Sequence, residues 1–434
     1  MRIGIIGTGV SGSLLAEGLA GAPGITVEAF ERVGPGEHAE AGTGLNLGPN
    51  ALKALRLHLP DRHAALRAAS LPWARWFVDL ADGTRLFDLD MLDVAEEPGA
   101  RIRWSDLYRL LRAPVADRTR FGHRLDGLEE DAAGRLVPVF LTPDGPRRHG
   151  GFDLLVAGDG RYSRLRELTV GAAEPEHLRI CIWRLLVADG ADCPYDDYGQ
   201  WFNGNNRLLS FRLPGGGVYI AGAFPLPADG HIPDSARTVA AQLALFTPNS
   251  AAPCAAVAWM LRQIRDFLPD IHWARLQVAP MSRGGADGRA LFLGDAAQAM
   301  VPTLGQGATQ AIEDGVLAAA CLCAGGGVAA IAALRDPRVD FVRRFSIEAT
   351  DTMMPGTDPA AGTRAKTGPD FLAKLRRLYT DVPDAVGRMP LTVGAPAAGR
   401  DVSDSIRRNP LLDSGGGTCD GMRGSPGTGR PAGL

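Results

Sequence analysis

Apolar residues follow two different periods along this chain, and the switches between them divide it. Residues 2–6 are a short continuous apolar run, followed by helical spacing over 11–19 and a second strand over 25–31. Together they make a βαβ opening. A helix is expected over 51–57, with Pro49 just ahead of it. Alternating residues over 73–89 flank Asp82-Gly83, a hairpin signal. Ser105 offers an N-cap to a helix over 105–112. Residues 121–142 read as an antiparallel meander with a turn at Asp144-Gly145, and 153–157 return as an apolar strand. From 176 to 279 the pattern is β-rich, with strands at 180–187, 207–213 and 218–223 and glycines 215–217 turning the last two. Helices are expected over 236–246 and 257–267, a buried-type strand over 290–293, and helical spacing again from 307 and over 328–350.

This order predicts an α/β chain: a three-layer Rossmann-like domain interrupted by an inserted β-sheet domain, with C-terminal helices. The first domain is expected to use segments 1–72, 101–175 and 280–350. The insert uses a hairpin in 73–100 and the β-rich 176–279, and a helical extension covers 351–383. Segment 384–434 is rich in Gly, Pro, Ser and Arg with little to bury, so it is expected to be disordered. Composition changes this picture little: 45% hydrophobic and 22% charged residues are ordinary for a globular protein. A net charge of −3 gives no support for nucleic acid or an anionic membrane as partner. No apolar run is long enough to span a bilayer, and the opening MRIGIIGTGVSG lacks a signal-peptide pattern. The six cysteines form no CxxC pair, which fits a reduced setting. A cytoplasmic protein, monomer or homodimer, is therefore expected.

Gly7-Thr8-Gly9-Val10-Ser11-Gly12 follows a strand directly and opens a helix, the context that a dinucleotide fingerprint requires. The first glycine permits the tight turn, the second lets backbone approach a pyrophosphate, and the third allows close helix–strand packing. Glu31 ends the second strand. A carboxylate there accepts hydrogen bonds from ribose hydroxyls and repels a 2′-phosphate, which favours FAD or NAD over NADP at this site.

Two further strands run into Gly-Asp turns: 153–157 into Gly158-Asp159-Gly160, and 290–293 into Gly294-Asp295, followed by Pro302, Gly305 and Gly307. An NAD dehydrogenase has no need of the second. Over roughly residues 1–350 the chain resembles the class A flavoprotein monooxygenases, the para-hydroxybenzoate and salicylate hydroxylase superfamily, which carry these three motifs in this order. Gly42-Thr-Gly-Leu-Asn-Leu-Gly-Pro-Asn50 and Ile182-Trp183-Arg184 are similar to further family segments. The resemblance implies FAD as cofactor and NAD(P)H as transient electron donor. It implies that Asp295 binds the ribityl and pyrophosphate region, that Pro302 lies by the isoalloxazine ring, and that Gly305 and Gly307 let helix amides approach the flavin. Asp159 would serve both FAD and the nicotinamide donor. The chain departs from the family at Trp104, where arginine is usual, and Arg103 is expected to substitute for it. It departs also near His38 and Ala39, where an arginine is often found, and at Gln298 and Thr309, which replace His and Asn.

The implied activity is hydroxylation of an aromatic or N-heteroaromatic small molecule with NAD(P)H and O₂ through a flavin C4a-hydroperoxide. Candidate pocket residues are Asn46, Trp183, Arg184, Phe211 and Arg212, of which the two arginines equally suit a solvated strand face. No catalytic base, metal cluster or Ser–His–Asp set stands out. Two other readings share the scaffold: a flavin-dependent epoxidase or reductase, and a flavoprotein without catalysis.

Overall fold

In the computed structural model the described residues are 1–37, 43–172 and 174–384. The positions near His38 and Ala39, Gly42, and the tail after 384 lie outside them. The described residues fall within one compact unit.

The strands Arg2–Ile6, Leu154–Ala157 and Ala290–Phe292 are almost wholly buried, as strands covered on both faces should be. They lie side by side and parallel, with Ile3 opposite Leu154 and Leu155 opposite Ala290. Thr26–Phe30 and Thr119–Arg120 extend this sheet on one side, and the antiparallel Gly284–Gly285 closes the other. Helices Val10–Gly18 and Gln306–Cys323 pack on one face through Leu15, Leu19 and Ala318. On the other face Phe140 and Phe152 seal the meander Arg124–Glu130, Leu136–Thr142 and Gly145–Arg148 against the sheet. The result is the three-layer α/β arrangement. Its topology brings three turns, distant in sequence, to one carboxyl edge, where open α/β sheets bind ligands.

A second sheet has seven strands, in the order His272–Val278, Glu176–Val187, Val218–Pro225, Asn206–Arg212, Tyr198–Asn203, Arg75–Leu80, Arg85–Asp90. The hairpin 75–90 turns at Asp82-Gly83, with Gly83 at φ +96° and Asp82 accepting from the Thr84 amide at 2.9 Å. It joins the insert in parallel, Trp76 opposite Tyr198. Two strands of this sheet carry no sequence signal. Tyr198–Asn203 is buried on both faces and so lacks alternation, and His272–Val278 directly follows a helical stretch. Helices Val239–Phe246 and Ala255–Phe267 cover one face of the sheet around Trp183, Trp259 and Met260. No helix among the described residues is long and apolar enough to cross a membrane.

Candidate functional site

Backbone packs on backbone where the first two turns meet. Gly7 has φ +88°, and a Cβ there would sit 2.7 Å from Asp159 Cα. A Cβ on Gly12 would strike the Gly7 carbonyl, and one on Gly158 would lie 2.7 Å from the same oxygen. Only glycine fits all three positions. Gly7, Gly9, Val10 and Ser11 border a cavity of about 1030 Å³, at the top of the range typical of small-molecule sites. Gly12 lies just behind them and sets the packing.

Glu31 lines this cavity. Its Oε2 accepts from Thr8 N at 2.9 Å, Thr8 Oγ1 at 3.0 Å and Arg112 Nη2 at 3.0 Å, while among the described residues Oε1 takes only the Val33 amide at 3.3 Å. Arg112 went unnoticed in the sequence. It stands four and eight residues beyond Tyr108 and Trp104 on the helix Trp104–Arg112, so the three share one cavity-facing stripe. Its Nε donates to the Thr8 carbonyl at 2.8 Å, and its buried Nη1 has no partner among the described residues. Arg103, expected to substitute for the family arginine, precedes this helix off the stripe and does not border the cavity. Helical spacing from Trp104 is the signal that would have found Arg112.

Asp159 Oδ2 accepts from the Arg164 amide at 2.9 Å, whereas Oδ1 is buried without a partner among the described residues. Burial pushes its pKa up. Asp295 also lines the cavity; burial raises its pKa too, opposed by the nearby guanidinium groups of Arg161 and Arg184. Pro302, Gly305 and Gly307 form the far wall. Gly305 has φ +65° and precedes the helix Gln306–Cys323; a Cβ on Gly307 would meet nothing within 4 Å, so bare backbone of the first turn opens to the cavity. Asn46 lies beside Gly305, and among the described residues its Nδ2 has no partner. Unpartnered donors at Arg112 and Asn46, an unpartnered acceptor at Asp159 and glycine-lined backbone at two helix starts fit a dinucleotide with phosphates, polyol hydroxyls and a flat ring. The residues present therefore fit FAD.

The roof of the cavity is one face of the seven-stranded sheet. Ile182, Arg184, Arg207, Leu209, Phe211, Tyr219 and Ala221 line it, and strand alternation decides which. Trp183, next to Arg184, points to the opposite face, where its Nε1 donates to Gln242 Oε1 at 2.8 Å inside the helical cover. Arg212, next to Phe211, also points away; its guanidinium donates to the carbonyls of Tyr195, Gly190 and Cys193 at 2.9, 3.0 and 2.7 Å. Adjacent strand residues cannot share a face, so Trp183 and Arg212 fall outside the pocket that Arg184 and Phe211 border. The same rule places Arg207, four residues before Phe211, in the roof. Arg207 is 5% exposed, and among the described residues its Nε has no partner; the charged or polar groups around it are the Tyr198 and Tyr219 phenols and the like-charged Lys366 ammonium, not a carboxylate. The rings of Tyr198, Phe211 and Tyr219 stack in sequence, with centroids 5.8 and 4.8 Å apart. Burial raises the Tyr219 pKa, against the pull of Arg184 and Arg207.

The two substituted family positions have partners of their own. Gln298 Nε2 donates to Asp314 at 2.6 Å, and Thr309 Oγ1 accepts the Gly48 amide at 2.9 Å.

No family model matches the chain. A salicylate hydroxylase of Pseudomonas putida is 30% identical over 341 residues, covering 72% of this chain and 75% of that protein. An FAD-dependent urate hydroxylase of Klebsiella pneumoniae subsp. pneumoniae is 29% identical over 360 residues, covering 80% and 88%. Among solved structures, Klebsiella pneumoniae HpxO complexed with FAD and uric acid matches with a TM-score of 0.73 at 23% identity, covering 88% of this chain and 97% of that one.

Proposed function

Because the chain belongs to the class A flavin monooxygenases, FAD-dependent enzymes with NAD(P)H as electron donor, we propose that it hydroxylates an anionic aromatic or heteroaromatic ring anchored by Arg207. The observation that carries this reading is a buried, cavity-lining guanidinium that no carboxylate among the described residues neutralises. A buried charge of that kind is costly unless a counter-ion arrives. Relatives named for salicylate and urate act on rings that are anions at neutral pH, which supports the same chemistry.

FAD bound along the three turns and reduced by NAD(P)H would activate O₂, one atom of which goes to the ring while the other leaves as water. Glu31 Oε1 would take a ribose hydroxyl, Arg112 Nη1 a phosphate oxygen, and Asp159 and Asp295 the polyol and diphosphate region. Pro302 and the amides at Gly305 and Gly307 would border the ring, where a helix N-terminus stabilises negative charge. Arg207 fixes the substrate's anionic edge, and Tyr219 keeps its proton and donates it as a hydrogen bond. Phe211 and Tyr198 offer flat stacking surface. Arg184 and Asn46 close the sides, and the stacked roof excludes water from the reacting ring.

The test is Arg207→Gln assayed with a panel of aromatic acids and hydroxylated N-heterocycles, following NAD(P)H oxidation, product and hydrogen peroxide. Loss of one charged hydrogen bond, worth about 1.5–3 kcal/mol, raises the ring KM roughly 10- to 100-fold and diverts turnover to peroxide, with FAD affinity unchanged. An unaltered KM for every accepted ring would remove Arg207 from the site.

A further inference from the structure

Beneath the flavin wall lies a sealed ionic cluster that the proposed chemistry leaves unused. Glu313 and Asp314 are adjacent on the helix Gln306–Cys323, and both are fully buried. Asp314 Oδ2 accepts three hydrogen bonds: the Gly294 amide at 2.8 Å, Gln298 Nε2 at 2.6 Å and Arg283 Nη1 at 2.9 Å. Its Oδ1 takes Arg335 Nε at 2.7 Å. Glu313 turns the other way and accepts from Asn50 Nδ2 at 2.6 Å, Arg335 Nη1 at 2.7 Å and Arg338 Nε at 2.6 Å. Asn50 stands two residues past Gly48, whose amide donates to Thr309 on the same helix at 2.9 Å. The cluster thus ties the helix that starts at the flavin wall both to the Gly294-Asp295 turn and to the Gly48–Asn50 segment beside Asn46.

Its charges balance. Arg283, Arg335 and Arg338 face Glu313, Asp314 and Asp336 through pairs at 2.6–2.9 Å. The Gly294 backbone needs an outside hold, because φ +58° with ψ −138° is a conformation that only glycine adopts readily. Gln298 closes the short helix Asp295–Gln298 back onto the same oxygen. Two separate donors, one main-chain and one side-chain, are therefore spent on aligning a single turn.

We propose that Asp314 is a positioning residue for the cofactor: by holding Gly294 and Gln298 it fixes where the Asp295 carboxylate stands. This rests on the reading that FAD lies along that turn. Position and charge make opposite demands here. Asp314→Asn leaves the cluster one positive charge in excess beside a site for a dianionic diphosphate, so simple electrostatics predicts tighter FAD binding. Loss of alignment predicts weaker binding.

The experiment titrates FAD into apoprotein of wild type, Asp314→Asn and Gln298→Met, recording the flavin visible spectrum and the apoprotein melting temperature. Gln298→Met leaves every arginine–carboxylate pair in place and so guards against a fold that collapses. The expected result is a Kd raised about tenfold or more in both variants, a shifted or blurred flavin band, and an apoprotein melting temperature unchanged in Gln298→Met. Unchanged or tighter FAD binding with a wild-type spectrum in Gln298→Met overturns the proposal, whatever Asp314→Asn does to stability. Failure of wild-type protein to bind FAD would instead overturn the reading of the site.

Discussion

Arg335 and Arg207 are both buried arginines, at 0% and 5% exposure, and they sit in opposite electrostatic surroundings. Arg335 has two carboxylates and the Gln310 amide oxygen at 2.7 Å, and the coulombic pull of Glu313 and Asp314 lifts its pKa despite burial. Arg207 has two phenols and the like-charged Lys366 nearby and, among the described residues, an unpartnered Nε, and burial lowers its pKa. The first is a finished piece of the interior. The second faces a cavity and lacks its counter-ion. A paired buried charge marks structure, and an unpaired one facing empty space marks a place kept for a ligand.

The contrast is broken most directly by replacing each arginine with methionine and measuring urea unfolding of the apoprotein. Arg335→Met takes one of its two arginine partners from each of two buried carboxylates, Glu313 and Asp314, and is expected to cost about 3–5 kcal/mol. Arg207→Met removes an uncompensated charge from a low-dielectric site and is expected to leave stability equal or higher. Equal losses at both positions would mean that Arg207 is structural after all.

Acid sharpens the same comparison. The Asp314 carboxyl is held at about 2, against an ordinary value of 3.8; burial pushes it up, but Arg283 and Arg335 outweigh that. A depressed folded pKa means that the unfolded chain binds the proton first as pH falls. Asp314 therefore contributes fully above about pH 4, and its contribution fades as pH drops toward 2, on the order of 2 kcal/mol in all. Urea titrations from pH 5 down to 2 should show a steeper loss for wild type than for Asp314→Asn. Arg207 adds nothing in that window, since a guanidinium stays protonated throughout. Parallel slopes would place the acid lability elsewhere.

The motif turns were legible in the sequence because backbone geometry restricts them to glycine: Gly7, Gly12, Gly158, Gly294 and Gly305 occupy positions that a side chain would block or strain. The sheet they end was legible for a related reason, since its strands are short apolar runs bounded by those turns. The roof was read less well. Trp183 and Arg212 stood out as residue types, whereas the period of two along their strands assigns the pocket to their neighbours. Arg207 and Arg112 carry no motif and emerge only when strand or helix phase is followed from a known member of the face. Tyr198 was hidden by its strand, which is buried on both sides. The ionic cluster was illegible, because Glu313, Asp314, Arg283 and Arg335 meet only through tertiary packing.

The smallest effect tests strand phase itself, using neighbours one residue apart. Trp183→Phe keeps the ring but deletes the indole donor to Gln242, leaving a fully buried amide oxygen without that bond. The expected cost is about 1–2 kcal/mol of stability with no change in ring KM, since the indole lies behind the sheet. Arg184→Ala should do the reverse. It borders the cavity, where its charge acts on Asp295 and Tyr219. Its removal should raise the ring KM severalfold and leave unfolding unchanged. A KM effect from Trp183→Phe equal to that of Arg184→Ala would mean that the sheet transmits packing changes across its thickness. The roof would then be a coupled layer in which phase alone does not separate binding from stability.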